Sequence, residues 1–375
     1  MFNKKSLIAV AVASGLFLSA FPASAQKTKE PETLKIGAIL PLTGNAAVVG
    51  VLFHNGIDIA VDQINKAGGI KGRKVEVLYG DSKGDPKEGL TIAQKFISVD
   101  KLPVIISALS SVTMAIIPVV DKAKTVLVCG LTLPKVTELS PYVFRYFLRM
   151  DAESEKMSAF AYNKLKIKSV VILYENDEAG LRGQEAFQKV FKKHGGKVLA
   201  AESYEMGKED MRSQLLKIKN LKPDAFYVIG FEKTMGVAVK QLREIGVKET
   251  ILAGSGLATG SVSAVAGEAM EGAYYTVPAL ATETKNPIVK TFADTYRANY
   301  KSEPVAWSGY YYGIMKMIAK AIETQGYNAE GIRKGLTKIK DLPGVCGNIT
   351  VLPNRDTDVL MGIVTIKEGK PVVVE

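Results

Sequence analysis

The chain has 375 residues, 47% hydrophobic and 23% charged. Its length suits two domains, and its composition excludes a disordered, fibrous or polytopic membrane protein. Lysine and arginine number 49 against 38 acids, a formal net charge of +11. The excess is scattered in short alternations such as 164–168 rather than clustered among aromatics. That is a solvated basic surface, and it argues against a nucleic-acid partner.

Residues 1–6 carry Lys4 and Lys5, residues 7–21 are apolar, and Pro22-Ala23-Ser24-Ala25 offers small residues for cleavage before Gln26. A charged start, a short apolar core and a small-residue end predict a secretory signal peptide over 1–25. The apolar stretch, at ~1.5 Å per residue, covers about 22 Å of a ~30 Å bilayer core, so cleavage is expected rather than anchoring. No second membrane-length apolar stretch is visible. The mature protein is expected to be exported.

Apolar runs of strand length then alternate with amphipathic stretches of helix length. Residues 34–40 read as a first strand, closed by Pro41-Leu42-Thr43-Gly44. Residues 50–66 read as a helix, with Val51, Ile57, Ala60, Val61 and Ile64 at helical spacing and Gly68-Gly69 as its stop. Strands at 74–79, 104–106 and 126–129 alternate with helices at 86–99 and 113–123. The pattern restarts after Phe144-Arg145: helices at 153–165, 183–194, 211–220 and 235–245 alternate with strands at 170–174, 198–204, 226–229 and 250–253. A further strand is expected at 273–277. Alternation of this kind predicts an α/β protein of two doubly wound parallel-sheet lobes. The helices at 287–300, 308–325 and 330–338 have no strands between them. They are expected to pack on the first lobe, and the last strands, 350–352 and 361–366, to join the second.

Catalytic chemistry is poorly supported, so the chain is not read as an enzyme. His54 and His194 lie in polar helical stretches and read as surface residues. No group has metal-ligand spacing, and no cofactor is called for. Ser98-Val99-Asp100-Lys101 lacks the companion motifs of a serine acylation site. Gly254-Ser255-Gly256 lies too late in the chain for a dinucleotide fingerprint. Cys129 and Cys346 sit in very different contexts and read better as two buried free thiols than as a disulfide.

In open α/β sheets, ligands bind beyond the carboxyl ends of the strands. Those ends here include Leu109-Ser110-Ser111, Gly130-Leu131-Thr132, Gly230-Phe231-Glu232 and Gly254-Ser255. Two hydroxyls and free amides before a helix opening at Val112-Thr113 suit a carboxylate. From position alone, Ser110 and Ser111 read equally well as a plain helix cap.

The run 34–44, Leu34-Lys35-Ile36-Gly37-Ala38-Ile39-Leu40-Pro41-Leu42-Thr43-Gly44, resembles the opening strand of the leucine/isoleucine/valine-binding family of periplasmic binding proteins. The run 55–73, opening Asn55-Gly56-Ile57-Asp58 and closing Gly68-Gly69-Ile70-Lys71-Gly72-Arg73, resembles that family's signature helix and turn. Asp81, Asp85-Pro86, Tyr142-Val143-Phe144-Arg145 and 266–272 continue the likeness over 33–370.

The resemblance implies a type I, Venus-flytrap substrate-binding protein that delivers a small-molecule ligand to an ABC permease in the inner membrane, working as a monomer. A ligand sensor serving a receptor has the same fold and is the alternative. The implied lobes are 33–146 plus 278–346 and 147–277 plus 347–375, with chain crossings near 145–150, 276–278 and 346–348. By similarity Ser111 and Thr132 hold the ligand carboxylate, with Ser110 able to replace Ser111. In the second lobe the family's ammonium-binding acid is Ser255 here, one aromatic is Phe231 and another is Ala179. Those three residues predict a neutral, roomier wall, on which an organic acid without an ammonium group, aromatic acids included, binds at least as well as leucine, isoleucine or valine. Glu178 or Glu232 could restore a partner for an ammonium.

Overall fold

A computed structural model of the protein describes residues 33–230, 232–258, 260–278 and 286–375, without the side chains of 232, 260 and 261. The expected signal peptide and Phe231 lie outside the described residues.

The chain opens with β1 (Thr33–Leu40), α1 (Ala47–Lys66), β2 (Lys74–Asp81), α2 (Pro86–Ser98), β3 (Val104–Ala108), α3 (Ser110–Ala123), β4 (Val126–Gly130) and β5 (Val143–Arg145). Its five strands form one parallel sheet in the order β2-β1-β3-β4-β5. Successive side chains of β1 point to opposite faces, as pleating requires. Ile36, Ala38 and Leu40 enter one core and Ile39 the other. Both faces are therefore covered, which explains the nearly continuous apolar reading of these strands.

The second half begins with α4 (Met150–Asn163), β6 (Ser169–Glu175), α5 (Glu178–Lys193), β7 (Lys197–Tyr204), α6 (Arg212–Lys219), β8 (Ala225–Ile229), α7 (Glu232–Glu244) and β9 (Thr250–Ala253). It continues through α8 (Gly260–Ala266), β10 (Tyr274–Pro278), α9 (Pro287–Tyr300), α10 (Ala306–Gln325), α11 (Ala329–Leu336), β11 (Met361–Lys367) and β12 (Lys370–Val373). The second sheet has the order β12-β11-β10-β9-β8-β6-β7. It is parallel from β7 to β10, and β11 and β12 add to its edge antiparallel.

As the sequence implies, the helices after 285 bury Phe292, Tyr311 and Ile318 against the first sheet, and the last strands join the second. Ile349 and Val351 also pack in that first core, beyond position 346, because the bridges Leu342↔Ile349 and Val351↔Thr357 fold the segment back. The strand expected at 350–352 is no more than that isolated bridge. Sequence reading also misses β5 and β12, which are short. The chain reaches the second sheet only at Met361.

Where this return segment passes the first crossing, a buried ion pair joins them. Arg145 Nε donates to Asp356 Oδ1 at 2.8 Å, its Nη2 donates to Oδ2, and its Nη1 donates to the Leu133 carbonyl. Among the described residues, α1 alone is long and apolar enough to span a bilayer, against the expectation that no second stretch of that length exists. Its apolar face is the one turned to α10: a Cβ on Gly56 would stand 2.0 Å from the Ser308 carbonyl oxygen. Cys129 and Cys346 are buried and unpaired, as expected.

Candidate functional site

β3 and β4 are neighbours in register, so the loops that leave them emerge side by side. Tyr311 of α10 fixes the pair of ends: its hydroxyl lies 3.0 Å from the Ser107 carbonyl and 3.1 Å from the Gly130 carbonyl. Beyond β3, Leu109 adopts φ 64°, ψ 136° and turns the chain straight into α3. The helix therefore opens at Ser110 rather than at 112–113, and its N-cap is Leu109, with no side-chain cap bond. This separates the two readings of the serines: neither caps the helix. Ser110 is half-buried and Ser111 is exposed in the first turn, where helical geometry leaves the N–H groups without intrahelical partners and the positive end of the dipole favours an anion.

Thr132, beyond β4, is buried, and its carbonyl accepts the Met150 N–H at 3.1 Å. The start of α4 is thereby tied to the loop that carries Thr132. On the other side of the serines, Asp81 ties down the loop after β1. It accepts from Leu42 N at 2.9 Å, Thr43 Oγ1 at 2.5 Å and Lys83 N at 2.9 Å. Desolvation is the largest single influence and raises the carboxyl's pKa, but these hydrogen bonds together outweigh it and hold the group below its ordinary value.

β6, β8 and β9 are likewise adjacent, so Ala179 and Ser255 follow strand ends of one neighbourhood. Ala179 lies in the first turn of α5 and packs into the core with Phe187 and Ile229. Glu178, a candidate replacement acid, is exposed and engaged by Arg182 at 2.9 Å. No hydrogen bond or ion pair joins the first trio, Ser110, Ser111 and Thr132, directly to Ala179 or Ser255 among the described residues; α4 is the element that touches both ends.

At Ser255 that helix brings an acid against the end of β9. Glu153, one turn into α4, is fully buried, and its Oε1 accepts from Ser255 N and from Thr276 Oγ1. Its Oε2 is buried with no partner among the described residues. Burial drives the carboxyl's pKa above the ordinary value, against the pull of the bonds from Thr276 and Ser255. Both carboxyl oxygens would be 3.7 Å from a Cβ at Gly254, so the group lies against the end of β9. Sequence reading misses Glu153 although a signal exists: it stands in the same helical stripe as the buried Met157, Phe160 and Ala161, where a charge is out of place. Among the described residues no group of His, Cys, Asp and Glu could hold a metal ion.

Two doubly wound lobes with paired loops beyond their strand ends define a two-lobed binding protein. A sequence profile described as periplasmic binding protein matches residues 33–370, and the chain belongs to that family, one of extracytoplasmic substrate-binding proteins. It is 29% identical over 322 residues to the Leu/Ile/Val-binding protein BraC3 of Rhizobium johnstonii, covering 84% of this chain and 87% of that protein. The branched-chain amino acid substrate-binding protein LivJ of Streptococcus pneumoniae, solved with isoleucine, superposes with a TM-score of 0.84 at 27% identity, covering 91% of this chain and 99% of that one. A Rhodopseudomonas palustris solute-binding protein solved with 3,4-dihydroxybenzoic acid shares the fold, with a TM-score of 0.80 at 24% identity over 91% of this chain and 95% of its own.

Proposed function

We propose that this chain is the periplasmic substrate-binding protein of an ABC uptake system of the branched-chain amino acid type. It carries a small carboxylate-bearing ligand, an amino acid or a related organic or aromatic acid, between its lobes to an inner-membrane permease, and it acts as a monomer. The two lobes are proposed near the bounds expected from sequence, with the third crossing placed at 352–360, since Ile349 and Val351 pack in the first core. The likeness to the Leu/Ile/Val-binding protein and to LivJ supports the transport role.

One observation carries the carboxylate reading. Ser110 and Ser111 occupy the first turn of α3 without serving as caps, beside Thr132 at the adjacent strand end. Hydroxyls and free helix amides at this positive helix end favour an anion there. Ala179 and Ser255, beyond the ends of β6 and β9 in the second sheet, are the residues proposed to face them. Replacing Ser111 and Thr132 together by Ala is expected to weaken binding by about 2–4 kcal/mol, at roughly 1–2 per charged hydrogen bond. Calorimetry against amino acids and organic acids measures this. Near-native affinity in a variant with intact circular dichroism would refute the assignment.

A further inference from the structure

We propose that Glu153 is a ligand-contacting residue of the second lobe, its Oε2 receiving the cationic nitrogen of a ligand whose carboxylate lies on Ser111 and Thr132. The proposal rests on the carboxylate reading above and adds the chemical class that reading leaves open: an acid bearing an amine close to its carboxylate.

The buried carboxyl is half-satisfied. Two donors, Ser255 N and Thr276 Oγ1, both go to Oε1, while Oε2 has neither a described protein partner nor solvent exposure. A carboxylate can accept about four hydrogen bonds, and a buried charge left without a counter-charge costs several kcal/mol. No lysine or arginine is bonded to it among the described residues.

The position fits. Met150 N is bonded to the Thr132 carbonyl, and Glu153 follows one turn later on the same helix. Three residues advance a helix by only ~4.5 Å, and helical side chains lean back toward the N-terminus. The carboxyl of Glu153 therefore returns toward the loop of Thr132. Tyr310 of α10, in the first core, is also buried with an unpartnered hydroxyl.

The position also explains how Ser255 is tolerated. An acid supplied by α4 reaches the end of β9 from behind, and a long side chain at 255 would compete with it. Glu153→Gln keeps an oxygen for Ser255 N and Thr276 while removing the charge, so it isolates the ionic contact.

Calorimetry on the wild-type protein, on Glu153→Gln and on the Ser111→Ala, Thr132→Ala double variant should use matched pairs. These are leucine with 4-methylpentanoate and phenylalanine with 3-phenylpropanoate. The wild type is expected to prefer the amine-bearing member by more than about tenfold, ~1.4 kcal/mol. In Glu153→Gln that preference should fall to under about threefold, through lost amino-acid affinity, with the deaminated acid little changed. The double variant should weaken both members of a pair alike. A wild type that favours the deaminated acids, or a Glu153→Gln variant that keeps the full preference, overturns the proposal. A double variant with undiminished affinity for either member overturns instead the carboxylate reading on which it rests.

Discussion

Burial and polar contacts pull the ionisation of Glu153 in opposite directions, and burial prevails: its carboxyl titrates above the ordinary value of 4.5. An acid whose pKa is higher in the folded protein than in the unfolded chain favours folding while protonated. That contribution is complete below the unfolded value and is lost as pH rises through the folded one. Tyr227 of β8 and Tyr310 of α10, the titratable groups in its field, stay neutral over this range because burial pushes both hydroxyls up. Glu153→Gln should therefore raise the melting temperature of the ligand-free protein above about pH 5 and leave it nearly unchanged at lower pH. Thermal melts of both proteins from acid to neutral pH check this. A variant that melts lower than the wild type at neutral pH would mean that the charge is compensated in the folded state. The combination of a more stable empty protein with weaker amino-acid binding is the mark of a group kept for function.

At the scale of elements, the approach of α1 to α10 sets the geometry of the first lobe. Gly56 lets the helices touch backbone to backbone, since a Cβ there would stand 2.0 Å from Ser308 O and 3.0 Å from Tyr312 N. Tyr311, on the same stretch of α10, fixes the ends of β3 and β4. Gly56→Ala should consequently cost about 3 kcal/mol, since backbone cannot move aside as a side chain can. It should also weaken ligand binding by displacing Tyr311. Urea unfolding and calorimetry measure the two effects; a loss below about 0.5 kcal/mol would show that the helices part without strain. Asn65 plays a comparable part at the other end of α1. Its side-chain amide pairs with Val75 through both its donor and its acceptor, at 2.9 and 2.8 Å, and so starts β2 in register.

Across the whole molecule, chain segments pass between the two sheets beside a few fixed contacts. Arg145 and Asp356 pin the first crossing to the return segment, and Met150 is tied to Thr132. Crossings that hold their own geometry while the lobes rotate allow a hinge. Binding groups on both lobes favour closure in proportion to their contacts in the closed form. An amino acid that binds in calorimetry should therefore reduce the radius of gyration in small-angle scattering relative to the empty protein. An unchanged radius at saturating ligand would count against closure.

Much of this architecture is determined by the sequence alone. Strand-length apolar runs alternating with amphipathic helices require parallel sheets covered on both faces, and strand-free helices after 285 have to cover a sheet already built. The strand ends bearing Ser110, Ser111, Thr132 and Ser255 follow from the same periodicity, because pleat and helix repeat are local properties of the chain. Where α3 begins is not local: Leu109 holds a positive φ that its own side chain disfavours, so the surrounding packing imposes it and frees the serines from capping. Glu153 is still less local. Its partners Ser255 and Thr276 lie more than a hundred positions away. Whether a carboxyl in an apolar helical stripe is compensated or left open depends on which distant backbone and hydroxyl groups the fold brings to it. Desolvation and hydrogen bonding, the two terms that govern that carboxyl, arise only once the chain has closed around it.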